Sequence, residues 1–485
     1  LRKFLSALLA LIGLACGCSA VGPNYTRVEP QVPSKFGSLE KGISTSESLN
    51  AEMLSSWWNI FKDPVLNSLI ERAVKGNLDM RIAEARVRQA RALSLVSESK
   101  NLPEGQFSGG YQRQRRTESG FSGQTSGTSA GLSSPSVGLG PRETDLFLAG
   151  FDASWEIDVF GGIRREIEAS QADLAASVEA LRNALVTLQG EVARNYIELR
   201  GEQLRLQITR KEVEIRIDSL GLIDARLRAG LVSELDLARG KGELANAESR
   251  IPLLENSLRG SFHRLAVLLG QEPLSLVAEL EMEKQLPEVP ENLPAGLPSD
   301  LLRRRPDIRR AERELAASTA RIGVSTAELF PKFSLTGSFG YQATKLEDLP
   351  RESSNFWRIG PSFRWSILNF KRITANIEAN KAAREESLAR YEKSVLNSLE
   401  EVENALVALS REKLRIEALA KAVEANTLAF ELAMERYKAG VQSYLEVIDA
   451  ETALYNGQDQ LAQSQQNRAL AMVSLYKALG GGWTE

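Results

Sequence analysis

The chain carries an internal duplication. Displaced by 210 residues, Trp155, Ile157, Phe160, Ile163, Ile167, Glu168, Ala169 and Ala172 fall on Trp365, Ile367, Phe370, Ile373, Ile377, Glu378, Ala379 and Ala382. The register continues without a gap, placing Glu191-Val192 on Glu401-Val402, Arg226 on Arg436, Ala229-Gly230 on Ala439-Gly440, Ser233 on Ser443, Leu235 on Leu445 and Leu269-Gly270 on Leu479-Gly480. Such a match is not composition noise, and it requires a fold built from two copies of one unit. Further upstream the offset becomes 228, pairing Asp79, Ala83, Glu84 and Pro103 with Asp307, Ala311, Glu312 and Pro331. The difference of 18 residues lies between Pro103 and Trp155, where Thr117 to Pro141 is dominated by Gly, Ser and Thr. That is the composition of a long exposed loop.

Each half reads helix, strand, loop, strand, long helix, turn, helix. The first repeat occupies 63–297, with strands at about 102–116 and 146–159 and long helices to 270. The second occupies 298–485, with strands at about 331–343 and 356–369 and long helices to 480. Phe147, Ala149, Phe151, Ala153, Trp155 and Ile157 alternate with Leu148, Gly150, Asp152, Ser154, Glu156 and Asp158. In the second half Trp357, Ile359, Pro361, Phe363, Trp365 and Ile367 alternate with Arg358, Gly360, Ser362, Arg364 and Ser366. Phe333, Leu335, Gly337, Phe339 and Tyr341 likewise oppose Ser334, Thr336, Ser338 and Gln342. Period-2 alternation with aromatics near the ends fits a lipid-facing barrel strand with a wet inner face. A half-buried strand of a soluble sandwich shows the same alternation.

The helical stretches are more discriminating. Ile163 to Arg228 contains no Pro and little Gly, and Thr374 to Lys438 repeats this. Helix-formers dominate both. A helix of that length runs about 100 Å, beyond the needs of a globular core, and its mixed three- and four-residue apolar spacing points to coiled-coil-like packing. Each long helix stops at Ala-Gly: Gly230 and Gly440 suit the left-handed closing position. Ser233 and Ser443 are placed to cap the returning helices. Asp63, Asp79 and Asp307 read as helix-start residues.

Leu1-Arg2-Lys3 is basic and leads into an apolar stretch from Phe4 to Cys16, the layout of a signal peptide over 1–17. The run is shorter than the roughly 20 apolar residues of a spanning helix. Both cysteines, Cys16 and Cys18, lie at its end. With His occurring once and Cys twice, His/Cys metal sites, Cys–His nucleophiles and a disulfide framework are nearly excluded. His263, in Phe262-His263-Arg264-Leu265, lacks partners for acid–base work and reads as a structural or surface residue. A net charge of −3 gives no electrostatic case for nucleic acid. No enzymatic activity, cofactor or resident metal is expected.

Four strands cannot close a spanning barrel, since single-chain barrels start at about 8 strands, and open edges are not tolerated in lipid. If the strands span a membrane, other copies of the chain must complete the barrel. Three copies would supply twelve strands in a nearly six-fold ring.

Several stretches carry a family resemblance. They are Trp57-Trp58 with Phe61, Asp63-Pro64 and Leu66; Asn77-Leu78-Asp79; Arg304-Arg305-Pro306-Asp307-Ile308 with Ala311-Glu312; Ala320 to Val324 through Phe330-Pro331; and the two Ala-Gly turns. The chain resembles the TolC-like outer-membrane efflux factors, in particular the NodT/OprM-like lipoprotein branch that serves resistance–nodulation–division pumps. The resemblance implies an α+β membrane protein with a duplicated helix–strand–strand–helix unit. It implies a homotrimer, with a twelve-stranded outer-membrane β-barrel continued by a long periplasmic α-helical barrel. The expected partners are a periplasmic adaptor, an inner-membrane pump and outer-membrane lipid.

The same resemblance extends to individual residues. Ala15-Cys16-Gly17-Cys18 is similar to a lipobox, with Cys18 expected to be acylated, by palmitate among other chains, and to begin an N-terminal extended segment over 18–62. Ala15 departs from the usual Leu, and Cys16 is a rival. Leu445, Glu446 and Asp449 fall where the family narrows the periplasmic mouth: Leu445 at an apolar constriction, the two acids in a ring. Gln442 stands where some members carry an Arg, so no salt-bridge latch is implied there. Ala229, Gly230 and Leu231, with Ala439, Gly440 and Val441, match the turns that engage an adaptor. The expected function is a passive exit duct in a tripartite efflux system. The competing reading is a periplasm-spanning coiled-coil scaffold without a pore, which the duplicated strand–loop–strand units disfavour.

Overall fold

The computed structural model describes residues 20–30, 32–37, 43–44, 51–115, 143–290, 293–294 and 302–484. The signal segment, Cys16, Cys18 and the Thr117 to Pro141 loop lie outside the described residues. The main elements, in chain order, are α1 (Pro64–Gly76), α2 (Leu78–Ser99), β1 (Glu104–Arg115), β2 (Glu143–Ile157), α3 (Gly162–Arg228) and α4 (Glu234–Leu268). The second half supplies α5 (Pro306–Ala327), β3 (Lys332–Ala343), β4 (Asn355–Arg364), α6 (Phe370–Lys438) and α7 (Tyr444–Ala478). Each half thus shows the order read from the sequence. The long helices α3 and α6 are 67 and 69 residues.

The chain divides into two compact units, and both draw on both repeats. One comprises Leu1–Thr26, Arg91–Ala172 and Ala316–Glu385; the other comprises Arg27–Ala90, Asp173–Leu315 and Glu386–Glu485.

The first unit holds a four-stranded antiparallel sheet in the order β1-β2-β3-β4. The register pairs Phe107 with Phe151, Tyr111 with Phe147, Phe151 with Phe339 and Phe339 with Trp357, so the aromatic residues fall on one face. Gly150 opposite Gly340 allows a close approach of β2 and β3: a Cβ on Gly340 would lie 2.6 Å from the Gly150 Cα. Asp158 starts α3 by accepting from the backbone N–H groups of Ile163 at 3.1 Å and Arg164 at 2.9 Å. The expected final strand at 356–369 ends earlier, at Arg364. Ser366 at φ −89° and ψ 67° makes a tight turn in which the Ile367 N–H donates to the Trp365 carbonyl, and α6 begins already at Phe370.

The second unit is held by a helical core. Trp57 stacks on Tyr476 with centroids 5.6 Å apart and planes at 8°. Around them Leu66, Leu69 and Ile70 of α1 and Val192, Tyr196 and Ile197 of α3 are buried. The segment at 18–62 is therefore not extended throughout. It contains a helix at Ala51–Ser55 and a 3-10 turn at Trp57–Phe61, in which the Trp57 and Phe61 rings are both buried. Asp63 caps α1, accepting from Val65 at 2.8 Å, as expected of a helix-start residue. Asp79 and Asp307 sit in first turns, but Asn77 performs the capping of α2, accepting from the Met80 N–H at 3.0 Å.

Candidate functional site

The candidate machinery clusters where the long helices turn back. At the end of α3, Gly230 has φ +73°, its N–H donates to the Leu227 carbonyl, and the Leu231 N–H donates to the Arg226 carbonyl, each at 2.9 Å. The end of α6 repeats this: Gly440 has φ +75°, with Gly440 donating to Tyr437 at 2.9 Å and Val441 to Arg436 at 3.0 Å. Paired bonds of this kind are the Schellman closure. A Cβ at either glycine would meet nothing within 4 Å, so the backbone angle and not space demands glycine. Ala229, Ala439 and both glycines are exposed, and Leu231 and Val441 present apolar side chains that are each 72% exposed.

The two returning helices begin differently. Asp236 accepts from the Ser233 N–H at 3.2 Å and from its hydroxyl at 2.9 Å, fastening the start of α4. Ser443 has the extended backbone of a cap residue, but its side chain makes no cap bond, contrary to expectation. The residue matching Asp236 is Glu446, one methylene longer, whose carboxylate is taken by the Gln442 side-chain amide.

Beyond that turn, α7 divides into two faces. Tyr444, Val447 and Ile448 are buried with Ile223 and Tyr437 in a small apolar cluster. Leu445, Glu446 and Asp449 project the other way and are exposed. The structure therefore brings the three predicted mouth residues onto one open helical face. Gln442 donates to Glu446 of the same chain.

Two features here escaped the sequence reading. Arg226 donates to the Tyr437 and Lys438 carbonyls at 2.6 Å each, and its guanidinium lies 4.5 Å from the Tyr437 ring centroid. It thereby neutralises the carbonyl end of α6. Its place in the 210-residue register is visible in the sequence, but which helix it caps is decided by the fold. Higher up, Glu451 is fully buried, with neither carboxylate oxygen hydrogen-bonded. Arg216 lies 3.8 Å from it and is also bound by Glu212 at 3.0 Å and Glu243 at 3.3 Å. Burial pushes Glu451 up to about 7, with Arg216 opposing and Glu212 and Glu243 reinforcing the rise.

The sheet unit has its own functional surfaces. One face exposes Phe107, Phe151, Trp357, Ile359 and Phe363, each more than 60% accessible, which is an unusual amount of open apolar surface. The opposite face carries Gln106, Ser334, Thr336 and Ser338, and Ser108 donates to Asp152 at 3.2 Å. Among the described residues no helix is long and apolar enough to cross a membrane. Beside the sheet, Arg165 gathers the N-terminal residues, donating to the carbonyls of Ala20, Val21 and Gly22 and at 2.6 Å to Asn24 Oδ1. His263 is half-buried on α4, as a structural or surface residue would be.

Nodulation protein T of Rhizobium leguminosarum bv. trifolii is 32% identical over 476 residues, covering 97% of this chain and 96% of that protein. The toluene efflux pump outer membrane protein TtgI of Pseudomonas putida is 31% identical, covering 99% of each. The solved structure of the outer-membrane channel OprN superposes with a TM-score of 0.86 at 35% identity, covering 96% of this chain and 99% of that one. The CusC structure gives 0.80 at 27%, covering 96% of this chain and 100% of that one. The model of the outer membrane efflux protein family matches residues 69–271 and 297–481, the two repeats in turn, and the chain belongs to that family.

Proposed function

We propose that this outer-membrane efflux protein works as a passive exit duct formed by three copies of the chain. The observation that carries the reading is the sheet itself. It is two-faced, apolar on one side and polar on the other, and within the chain β1 and β4 are its outermost strands. Strands in lipid must have no open edge, so β4 of one copy pairs with β1 of the next, closing a barrel of twelve strands. The apolar face meets lipid and the polar face lines the passage.

Cys18 is the anchoring residue, and the grip of Arg165 on Ala20, Val21 and Gly22 supports this by holding the chain two residues later against the sheet unit. The exposed turns at Ala229-Gly230-Leu231 and Ala439-Gly440-Val441 engage a periplasmic adaptor, which couples the duct to an inner-membrane pump of the resistance–nodulation–division type. Leu445, Glu446 and Asp449 narrow and charge the periplasmic mouth. The chain's work is passage and not catalysis. Relatives of nearly equal identity bear names for different cargo, toluene at 31% and pyoverdine at 33%, which supports walls that do not select the cargo.

The test is planar-bilayer conductance of the purified oligomer. Discrete single-channel steps are expected; an oligomer that inserts and passes no current would favour the scaffold.

A further inference from the structure

The clamp made by Arg226 has a repeat counterpart, Arg436, that makes no such clamp among the described residues. Arg226 sits at the end of α3 and seizes the last carbonyls of α6, those of Tyr437 and Lys438. The 210-residue register turns Arg226 into Arg436, Tyr437 into Leu227 and Lys438 into Arg228. Arg436 lies at the end of α6 and is exposed. The Leu227 carbonyl takes the Gly230 N–H in the way that the Tyr437 carbonyl takes that of Gly440, and the Tyr437 oxygen accepts Arg226 in addition. Leu227 therefore offers the same acceptor, at the same place in the same helix closure, beside the carbonyl of Arg228.

Within one copy, the first half reaches the second. In a ring of alternating halves the next step runs from the second half of one copy to the first half of its neighbour. We infer that Arg436 clamps the Leu227 and Arg228 carbonyls at the end of α3 in an adjacent copy, so that this arginine is a subunit-joining residue. The proposal rests on the trimer reading above. Arginine suits the task because its guanidinium presents several fixed donors and stays charged, and a cation at a helix C-terminus is favoured. One part of the seat is not repeated: Leu227 replaces the aromatic ring of Tyr437, so the joint between copies relies on carbonyls alone.

The experiment is cysteine crosslinking in the full-length, membrane-inserted protein. Cys16 and Cys18, both at the N-terminus, are the native cysteines. The pair Arg436→Cys with Arg228→Cys, treated with a short bismaleimide, is expected to give covalent dimers and trimers on denaturing gels. The pair Arg226→Cys with Lys438→Cys, built on the observed contact, should link within one chain. Moving the first site by one residue, to Glu435→Cys with Arg228→Cys, should reduce the interchain product severalfold. Native mass measurement of the unsubstituted protein reads the trimer independently. Trimers whose 436–228 pair crosslinks no better than the 435–228 pair would overturn the clamp alone. A monomer in the native measurement would overturn the trimer reading and the clamp with it.

Discussion

Trp365 donates its indole N–H to the Leu329 carbonyl at 3.0 Å, and its repeat counterpart Trp155 donates to the Asn101 carbonyl at the same distance. Asn101 and Leu329 are themselves related by the 228-residue offset that governs the upstream part of each half. The hydrogen bond thus joins two segments whose repeat registers differ, spanning the interval in which the first half carries its extra loop. Trp365→Phe keeps the ring and removes the donor. A loss of about 1 kcal/mol is expected, and the double variant with Trp155→Phe should lose about twice that, the sites being separate. Heat dissociation of the folded barrel on detergent gels reads this; unchanged dissociation in the double variant would contradict the joint.

The N-terminus provides a second expectation. Mass spectrometry of the mature protein should find Cys18 as the first residue, bearing acyl chains. A mature terminus at Ser19 or an unmodified Cys18 would overturn the assignment. Arg165→Met should release residues 20–24, because it removes a buried cation that satisfies three carbonyls and the Asn24 side chain. The cost is on the order of 2–3 kcal/mol, as for hydrogen bonds to charged groups. Limited proteolysis near Tyr25 should become faster.

At the turns, Gly440→Val forces a β-branched residue to φ +75°, costing roughly 1–2 kcal/mol locally. Since a side chain there would meet open space, the rest of the protein should assemble normally. Trimers in the membrane with reduced adaptor crosslinking and reduced efflux are expected, and Gly230→Val should behave alike. Normal efflux at normal protein level would contradict docking through these turns.

The mouth residues predict ion behaviour. In the proposed trimer, three copies of Glu446 and Asp449 would gather six carboxylates at the mouth, a ring that attracts cations. The closed channel should be cation-selective and blocked by multivalent cations from the periplasmic side. Glu446→Gln with Asp449→Asn should weaken both properties without opening the pore, because the substitutions leave the apolar constriction proposed at Leu445 in place. Unchanged selectivity and unchanged block in single-channel recordings would place the ring elsewhere.

What the sequence revealed and what it concealed divide along physical lines. Gly230, Gly440 and the strand aromatics were legible because backbone angle and two-residue alternation are local properties. Trp57 and Phe61 were recognised as a motif, yet their 3-10 turn was not foreseen, since the Tyr476 ring that Trp57 covers lies far along the chain. Ser443 was expected to cap like Ser233, but the partner differs by one methylene between Asp236 and Glu446, and Gln442 takes the longer carboxylate. Glu451 was invisible for a different reason. Its environment is assembled from α3, α4 and α7, and neither its spacing nor its repeat counterpart, Lys241, announces a buried acid.

That buried acid yields a pH dependence. Glu451 is raised to about 7 by burial, with the Arg216 cation facing it and Glu212 (itself bound by Arg250), Glu243 and the Tyr444 and Tyr455 phenols around it. Because its proton is held more tightly in the folded state than in the unfolded chain, its contribution is most favourable below its ordinary value of 4.5. That contribution is lost as the pH rises through 7. The full penalty above that range is about 3 kcal/mol. Glu451→Gln imitates the protonated form at every pH. The variant should therefore resemble the unsubstituted protein below pH 4.5 and melt at a progressively higher temperature than it as the pH rises from there into mildly alkaline solution. Thermal unfolding followed by helical circular dichroism across that range measures the difference. A variant destabilised equally at both ends would show that the ionised carboxylate is needed by Arg216, and that the acid sits there as a paired charge.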